Sequence, residues 1–424
     1  MNSPSISRRC FLVQSAGALA AGAAWGQSPP PRRILVASGW HNVNIGDIAH
    51  GPGLVRLIER HLPGVEVSFW PRRQPTPEIR AMLRRALPKL SIVEGTVAAD
   101  GQPSSPEFAA AISQCDLMIM ASGGYHDSPV RDWRKLSHRA YGVFGNGFEP
   151  IGQMPPEIAD NLNTAQFVYG RETFSADTLK RSGITAPGLT FCPDSTFGFD
   201  LRDEKRAEEA LVRAGLEPGK FICVIPNLRY TPHWKIYGQK PTEKDLRGAK
   251  VSEEFKERDH AAVREMIIAW VRQTGLKVLA CPEMTYEVEL AKEQFVDPLP
   301  DDVKRNVVWR ETFWMPDEAA SVYVRAIAVV SLECHSPIIA LANGTPAIHI
   351  QLPTDTRKAQ MFRDVGVGDW LHEVAALTGP QLIAQVLDIH ARPEAARTKV
   401  KAAMDGVNAI YREVFARVEA ALRA

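Results

Sequence analysis

Short apolar runs alternate with helix-periodic segments along most of the chain. Ile34-Leu35-Val36-Ala37 is apolar throughout, ends at Ser38-Gly39 and reads as a first strand. Behind it, Gly46-Asp47 predicts a loop with Asp47 as N-cap, and Leu54, Leu57 and Ile58 repeat at helical spacing. Val65 to Phe69 alternates as a second strand, and helical stretches follow at 77–87 and 106–114. Asp116 to Met120 is a buried-type strand ending in Ser122-Gly123-Gly124. Tyr141 to Phe144 runs into Gly145-Asn146-Gly147. Gln166 to Tyr169 leads to Arg171 and a further helix. This alternation predicts a parallel α/β sheet.

A second series begins after a polar linker and helix. Phe221 to Ile225, Lys277 to Ala280, Asn306 to Trp309, Ile327 to Val330 and Ala347 to Ile350 read as strands. Residues 264–275 read as an amphipathic helix with Gly275 as its C-terminal stop, and 228–259 as a polar, irregular loop. Val400, Met404, Val407, Ile410, Val414, Val418 and Leu422 mark one buried face of a closing helix. The expected fold is therefore α/β: two doubly wound Rossmann-like domains facing a cleft, with a long C-terminal helix. Its expected boundaries are 33–200 for the first domain, 201–220 for the linker, 221–390 for the second and 391–424 for the helix. Ligands in such sheets sit beyond the strand C-termini, hence in the cleft.

Composition narrows the picture. A chain of 424 residues exceeds what one core usually serves. Fifty basic against 49 acidic side chains leave a net charge of +1, a balance that gives no support for a nucleic-acid surface, and no nucleic-acid partner is expected. Ser7-Arg8-Arg9-Cys10-Phe11-Leu12 resembles a twin-arginine (Tat) export signal, followed by a short Ala/Gly-rich apolar stretch. Residues 1–26 are expected to be this signal and 27–32 a linker. The mature chain is then exported through the Tat translocase to the periplasm or another extracytoplasmic space, and does not span the membrane. The remaining cysteines, 115, 192, 223, 281 and 334, form no CxxC pair and read as buried free thiols.

The chemistry-bearing residues follow strands. Glu333 and His335 stand where an apolar run passes into a helix, and an extended chain would turn both side chains the same way. An imidazole there can exchange protons, and paired with Glu333 it can divide acid and base roles. Arg171, Arg229 and Lys358 follow strands as candidate anion-binding groups. Asn44, Asp47, Gly123, Gly124 and Asp194 occupy the corresponding loops of the first half. Tyr230, His233, Trp234 and Tyr237 crowd one loop, where an aromatic ring such as Trp234 suits the apolar face of a sugar. His41, His126 and Asp127 match no metal-binding spacing, so no metal is expected.

Taken in order, these motifs resemble the polysaccharide pyruvyl transferase family. The matching pieces are Asn44-Ile45-Gly46-Asp47, Asp116 to Gly124, Arg171 to Ser175, Pro193-Asp194 with Phe197, Asn227 to Arg229, Ser331 to Ala340, Gly344 with Pro346, and Lys358 with Phe362. The resemblance implies a GT-B-like fold and transfer of a pyruvyl unit from phosphoenolpyruvate to a saccharide hydroxyl pair on a cell-envelope glycan or exopolysaccharide. It implies no cofactor beyond that donor substrate. It also implies His335 as acid/base residue, with Arg171, Arg229 and Lys358 on the donor's charge. Glu333 stands where the resembled motif carries arginine, and a glutamate repels the same dianion. Two other readings fit this departure: an exported saccharide-binding protein on the same scaffold, or a glycan-processing enzyme using Glu333 and His335 without phosphoenolpyruvate.

Overall fold

Two fully parallel sheets organise the chain. The computed structural model describes residues 31–39, 41–122, 129–150 and 154–423. The first sheet contains β1 (Arg33–Ser38), β2 (Glu66–Pro71), β3 (Ser91–Ile92), β4 (Leu117–Ser122), β5 (Ala140–Asn146), β6 (Val168–Gly170) and β7 (Thr190–Phe191), in the order β3-β2-β1-β4-β5-β6-β7. The second contains β8 (Phe221–Ile225), β9 (Lys277–Ala280), β10 (Val307–Trp309), β11 (Val329–Ser331), β12 (Ala347–Gln351) and β13 (Leu371–Glu373), in the order β10-β9-β8-β11-β12-β13. Helices cover both faces, so central strands such as β8 are buried at every residue and need apolar side chains on both sides. Each sheet reverses direction of growth once, between β1 and β4 and between β8 and β11. Those two switch points are where the loops part and leave a crevice.

Four helices matter for the site. Helix α1 (Ile45–His61) follows β1. Its N-cap is Asn44, whose Oδ1 accepts from the Gly46 and Asp47 amides at 2.7 and 3.1 Å. Asp47, expected as the cap, lies instead in the first turn, where the helix dipole favours a carboxylate.

Helix α2 (Glu243–Thr274) corrects the expected loop: from Glu243 onward the polar stretch is helical and runs on into the amphipathic segment. Its first half carries no strong apolar stripe because little packs on it. A capping box between Thr242 and Asp245 starts it, and pairs such as Lys256–Glu253 line it. Gly275 ends it with φ of 69°, in the left-handed region that glycine adopts freely.

Helix α3 (His335–Ala342) follows β11, and α4 (Pro393–Arg423) closes the chain. α4 crosses back to the first sheet. Tyr169 of β6 donates to the Val414 carbonyl, and Tyr411 donates to the Asp194 carbonyl at 2.6 Å. The five described cysteines are buried and unpaired, as their spacing predicts. Among the described residues no helix is long and apolar enough to cross a membrane.

Candidate active site

The loops at both switch points enclose a polar cavity of about 650 Å³. From the first half it is lined by Gly39, His41, Asn44, Asp47 and His50 after β1, by Arg72 and Arg73 after β2, by Ser122, and by Gly145, Asn146, Gly147 and Arg171. From the second half come Thr231, His233, Met284, Glu333, His335 and Lys358. Both halves therefore contribute charged groups to one space.

His335 is the first residue of α3 and is 5% exposed. The chain before it is bent rather than extended. The Ser331 hydroxyl accepts from the Glu333 amide and donates to the Glu333 carbonyl, folding residues 331–333 into a turn. Strand geometry thus does not explain why Glu333 and His335 share the cavity; the turn brings them there. Room for the imidazole comes from Gly46, since a Cβ on that residue would lie 2.4 Å from His335 Cβ. The ring sits edge-on to His50 at 5.0 Å between centroids. Its Nε2 is 3.8 Å from Asp194 Oδ2 and its Nδ1 3.5 Å from Glu283 Oε1. Burial, with His50 and Lys358 nearby, drives its pKa well below the usual histidine range. The shift favours the neutral imidazole, the form that accepts a proton rather than donates one, so of the expected acid/base role it suits the base half.

Glu333 is 4% exposed and pairs with Lys358, Nζ to Oε2 at 3.5 Å, rather than with Arg171 or Arg229. Burial raises its pKa to about 7; Lys358 opposes that rise and Glu283 adds to it. Burial works against the charge on Lys358, but Glu333 and Asp355 overcome it and raise its pKa. Lys358 is a fixed cation whose first partner is Glu333.

Asp47 is half-buried on the opposite wall. Burial raises its pKa to about 7; Lys358 pulls it down, and Glu283 and Glu333 push it up. Asp194 is fully buried and caps a short turn by accepting from the Thr196 amide and hydroxyl. Burial alone would raise its pKa, yet His50, His335, Thr196 and Arg171 together hold it below the usual carboxylate range.

The cationic candidates divide. Arg171 lines the cavity beneath Gly147, bonded to Glu172 at 3.2 Å and to Thr356 Oγ1 at 3.2 Å. Arg229 does not line it. Both oxygens of Asp259 hold the guanidinium, at 2.6 and 2.9 Å, and the Phe255 ring lies 3.7 Å away. It braces α2, which corrects its expected place in an anion clamp. Trp234 is half-buried and outside the cavity lining, with Lys235 over its ring. From the same segment His233 and Thr231 reach the cavity instead, and the Tyr237 hydroxyl lies 2.5 Å from His41 Nδ1. Gly123 and Gly124 lie outside the described residues.

Several groups escaped the motif reading. His50 sits three residues after Asp47 on α1, a spacing that puts both on one helix face and was open to inspection. Glu283 and Glu287 follow β9, where an acidic pair after a strand was a weak cue. The Glu283 carboxylate accepts from the Ser336 amide at 2.6 Å and anchors α3. Glu287 accepts from the Glu283 and Met284 amides and fixes that turn.

The sequence model of the polysaccharide pyruvyl transferase family matches residues 44–352. No curated protein matches the chain. Among solved structures, S. aureus MnaA in its UDP co-structure superposes with a TM-score of 0.52 at 9% identity, covering 88% of this chain and 91% of that one. The UDP-GlcNAc 2-epimerase from Methanocaldococcus jannaschii gives 0.51 at 10% identity, covering 84% and 92%. Phytolacca americana UGT2 complexed with UDP-2-fluoro-glucose and pterostilbene gives 0.50 at 13% identity, covering 93% and 100%. At these identities the likeness establishes the two-sheet, GT-B-like fold.

Proposed function

This chain belongs to the polysaccharide pyruvyl transferase family, and from that premise we propose that it transfers a pyruvyl unit from an enol phosphate donor to two hydroxyls of a saccharide. One observation carries the reading: a single polar cavity at both switch points holds Asp47 and Glu333 facing the cations Arg171 and Lys358. Phosphoenolpyruvate is the donor chemistry such a set suits. Its carboxylate and phosphate meet Arg171, and the α1 N-terminus adds a favourable dipole.

The reaction balances as follows. The methylene carbon of the donor gains a proton and becomes a methyl group. One saccharide oxygen bonds to the central carbon, and the second displaces phosphate from it. Of the two hydroxyl protons, one replaces the proton delivered to the methyl group and the other leaves with phosphate. Asp47 is the group we assign to proton transfer, because it is partly exposed, faces the cavity and sits opposite Lys358. Glu333 keeps Lys358 oriented. The imidazole of His233 at the mouth offers an apolar face to the acceptor sugar. Export through the Tat pathway remains part of the proposal.

The test is direct. The purified chain is incubated with phosphoenolpyruvate and a saccharide carrying adjacent free hydroxyls, and phosphate release and a new ketal methyl resonance are followed. Both should appear together and fall roughly 10²-fold or more in Asp47→Asn, the range for loss of a positioned proton-transfer group. Donor binding without release, in the native chain and with several saccharides, would overturn the reading and favour a binding protein.

A further inference from the structure

Three buried side chains meet beneath the cavity with no hydrogen-bonding use for the atoms they present. His50 comes from α1, Asp194 from the turn after β7 and His335 from the start of α3. One donor atom from each lies within 4.8 Å of the other two. They are 4%, 0% and 5% exposed. His50 Nδ1, Asp194 Oδ2 and both ring nitrogens of His335 are buried without a hydrogen-bond partner. Such groups are costly to bury, and a native core normally satisfies them. The 3.8 Å from His335 Nε2 to Asp194 is beyond hydrogen-bond reach, so a proton relay does not account for the arrangement.

We propose that His50, Asp194 and His335 form a binding site for one divalent first-row transition-metal ion at the floor of the cleft. Two imidazoles and one carboxylate suit Zn²⁺, Fe²⁺ or Mn²⁺, whereas Mg²⁺ and Ca²⁺ favour all-oxygen sets. Metal–ligand distances of about 2.1 Å put donor atoms roughly 3.4 Å apart in a tetrahedral site, so the three need close by no more than about 1.5 Å.

A second observation points the same way. Glu283 Oε1 is itself unpartnered and lies 3.5 Å from His335 Nδ1, while its other oxygen is fixed by the Ser336 amide. That is the carboxylate–histidine pairing that fixes the ring of a metal-bound imidazole and leaves Nε2 for the ion. His50 and His335 also line the cavity, so open coordination positions would face a substrate. The ion would supply positive charge where Glu333 replaces the arginine of the resembled motif; that link alone rests on the pyruvyl-transfer reading.

The site is tested without any substrate. The full chain is stripped with a chelator and titrated calorimetrically with Zn²⁺ and, separately, with Mn²⁺. The native chain should bind one ion. His50→Gln and Asp194→Asn should each weaken binding by about 100-fold or more. Glu283→Gln, a positioning change, should weaken it by about 10–100-fold. His372→Gln, at a β13 ring that bonds Gln385 of the following helix, should leave affinity unchanged. Circular dichroism checks the fold of each variant. Where one misfolds, Co²⁺ loaded into the native chain decides: visible bands of nitrogen and oxygen ligation support the site, and an intense thiolate band overturns it. Absence of stoichiometric binding by the native chain also overturns it, as does unchanged affinity in folded His50→Gln and Asp194→Asn chains. Transfer activity enters none of these readouts, so this proposal and the pyruvyl-transfer reading fail separately.

Discussion

Arg229 is gripped by Asp259 with side chains 9% and 4% exposed, whereas Arg171 opens onto the cavity. Removing one partner of a buried ion pair leaves the other charge uncompensated, at about 3–5 kcal/mol. Arg229→Ala should therefore lower the urea-unfolding free energy by about 3 kcal/mol while leaving donor affinity intact. Arg171→Ala should raise KM for the donor and cost less stability than Arg229→Ala, because its buried partner Glu172 keeps the Ser175 hydroxyl. Both arginines follow a strand, and nothing local to either distinguishes them. The distinction lies 30 residues downstream, in the carboxylate that α2 brings to Arg229. His260 shows the same blindness. On α2 it is fully buried with its Nδ1 at the Lys256 carbonyl, and burial lowers its pKa to about 4. Between about pH 6.5 and pH 4 the unfolded chain takes up a proton that the folded chain refuses, so stability falls as pH falls through that window. His260→Gln should lose about 2 kcal/mol less stability than the native chain between pH 7 and pH 5, as read from denaturant midpoints.

At the scale of elements, α1 is the part on which the site depends. Its glycines let other segments come close: a Cβ on Gly53 would lie 2.1 Å from the Ser195 carbonyl oxygen, and one on Gly46 would strike the His335 ring. Backbone cannot yield as a flexible side chain can. Gly53→Ala should cost at least about 2 kcal/mol, in the range of overpacked cores. Gly406→Ala, on an exposed position of α4 with nothing within 4 Å of its Cβ, should gain about 0.5–1 kcal/mol. Thermal unfolding of the two variants checks both signs. The strand runs were legible because a parallel strand buried on both faces must be apolar throughout, as at Ile34 to Ala37 and Phe221 to Ile225. The first half of α2 was not, because an exposed helix held by caps and ion pairs has no apolar period to read.

For the whole molecule, strand order alone locates the cavity: both sheets switch direction, and both sets of switch-point loops line one space. That Asp47, Arg171, Lys358 and His335 line the cavity was legible because each follows a strand. Asp194 was legible in its loop and His50 by its spacing from Asp47, but that they meet His335 and Glu283 appears only when the two halves come together, which no spacing along the chain encodes. The proposed export also belongs to the scale of the whole chain. Arg8→Lys combined with Arg9→Lys should retain the folded protein in the cytoplasm of a Tat-competent host, read by fractionation; unchanged export would remove the twin-arginine proposal.

The central claim is that an enol donor becomes a ketal methyl group in this cavity. The measurement closest to it is the transfer reaction run in D₂O with phosphoenolpyruvate and a diol-bearing saccharide, with the product read by NMR and mass spectrometry. A cavity group in exchange with solvent delivers the new hydrogen, so the account predicts a ketal whose methyl group carries a single deuterium. A product without deuterium in that methyl group, or no ketal at all, would contradict it.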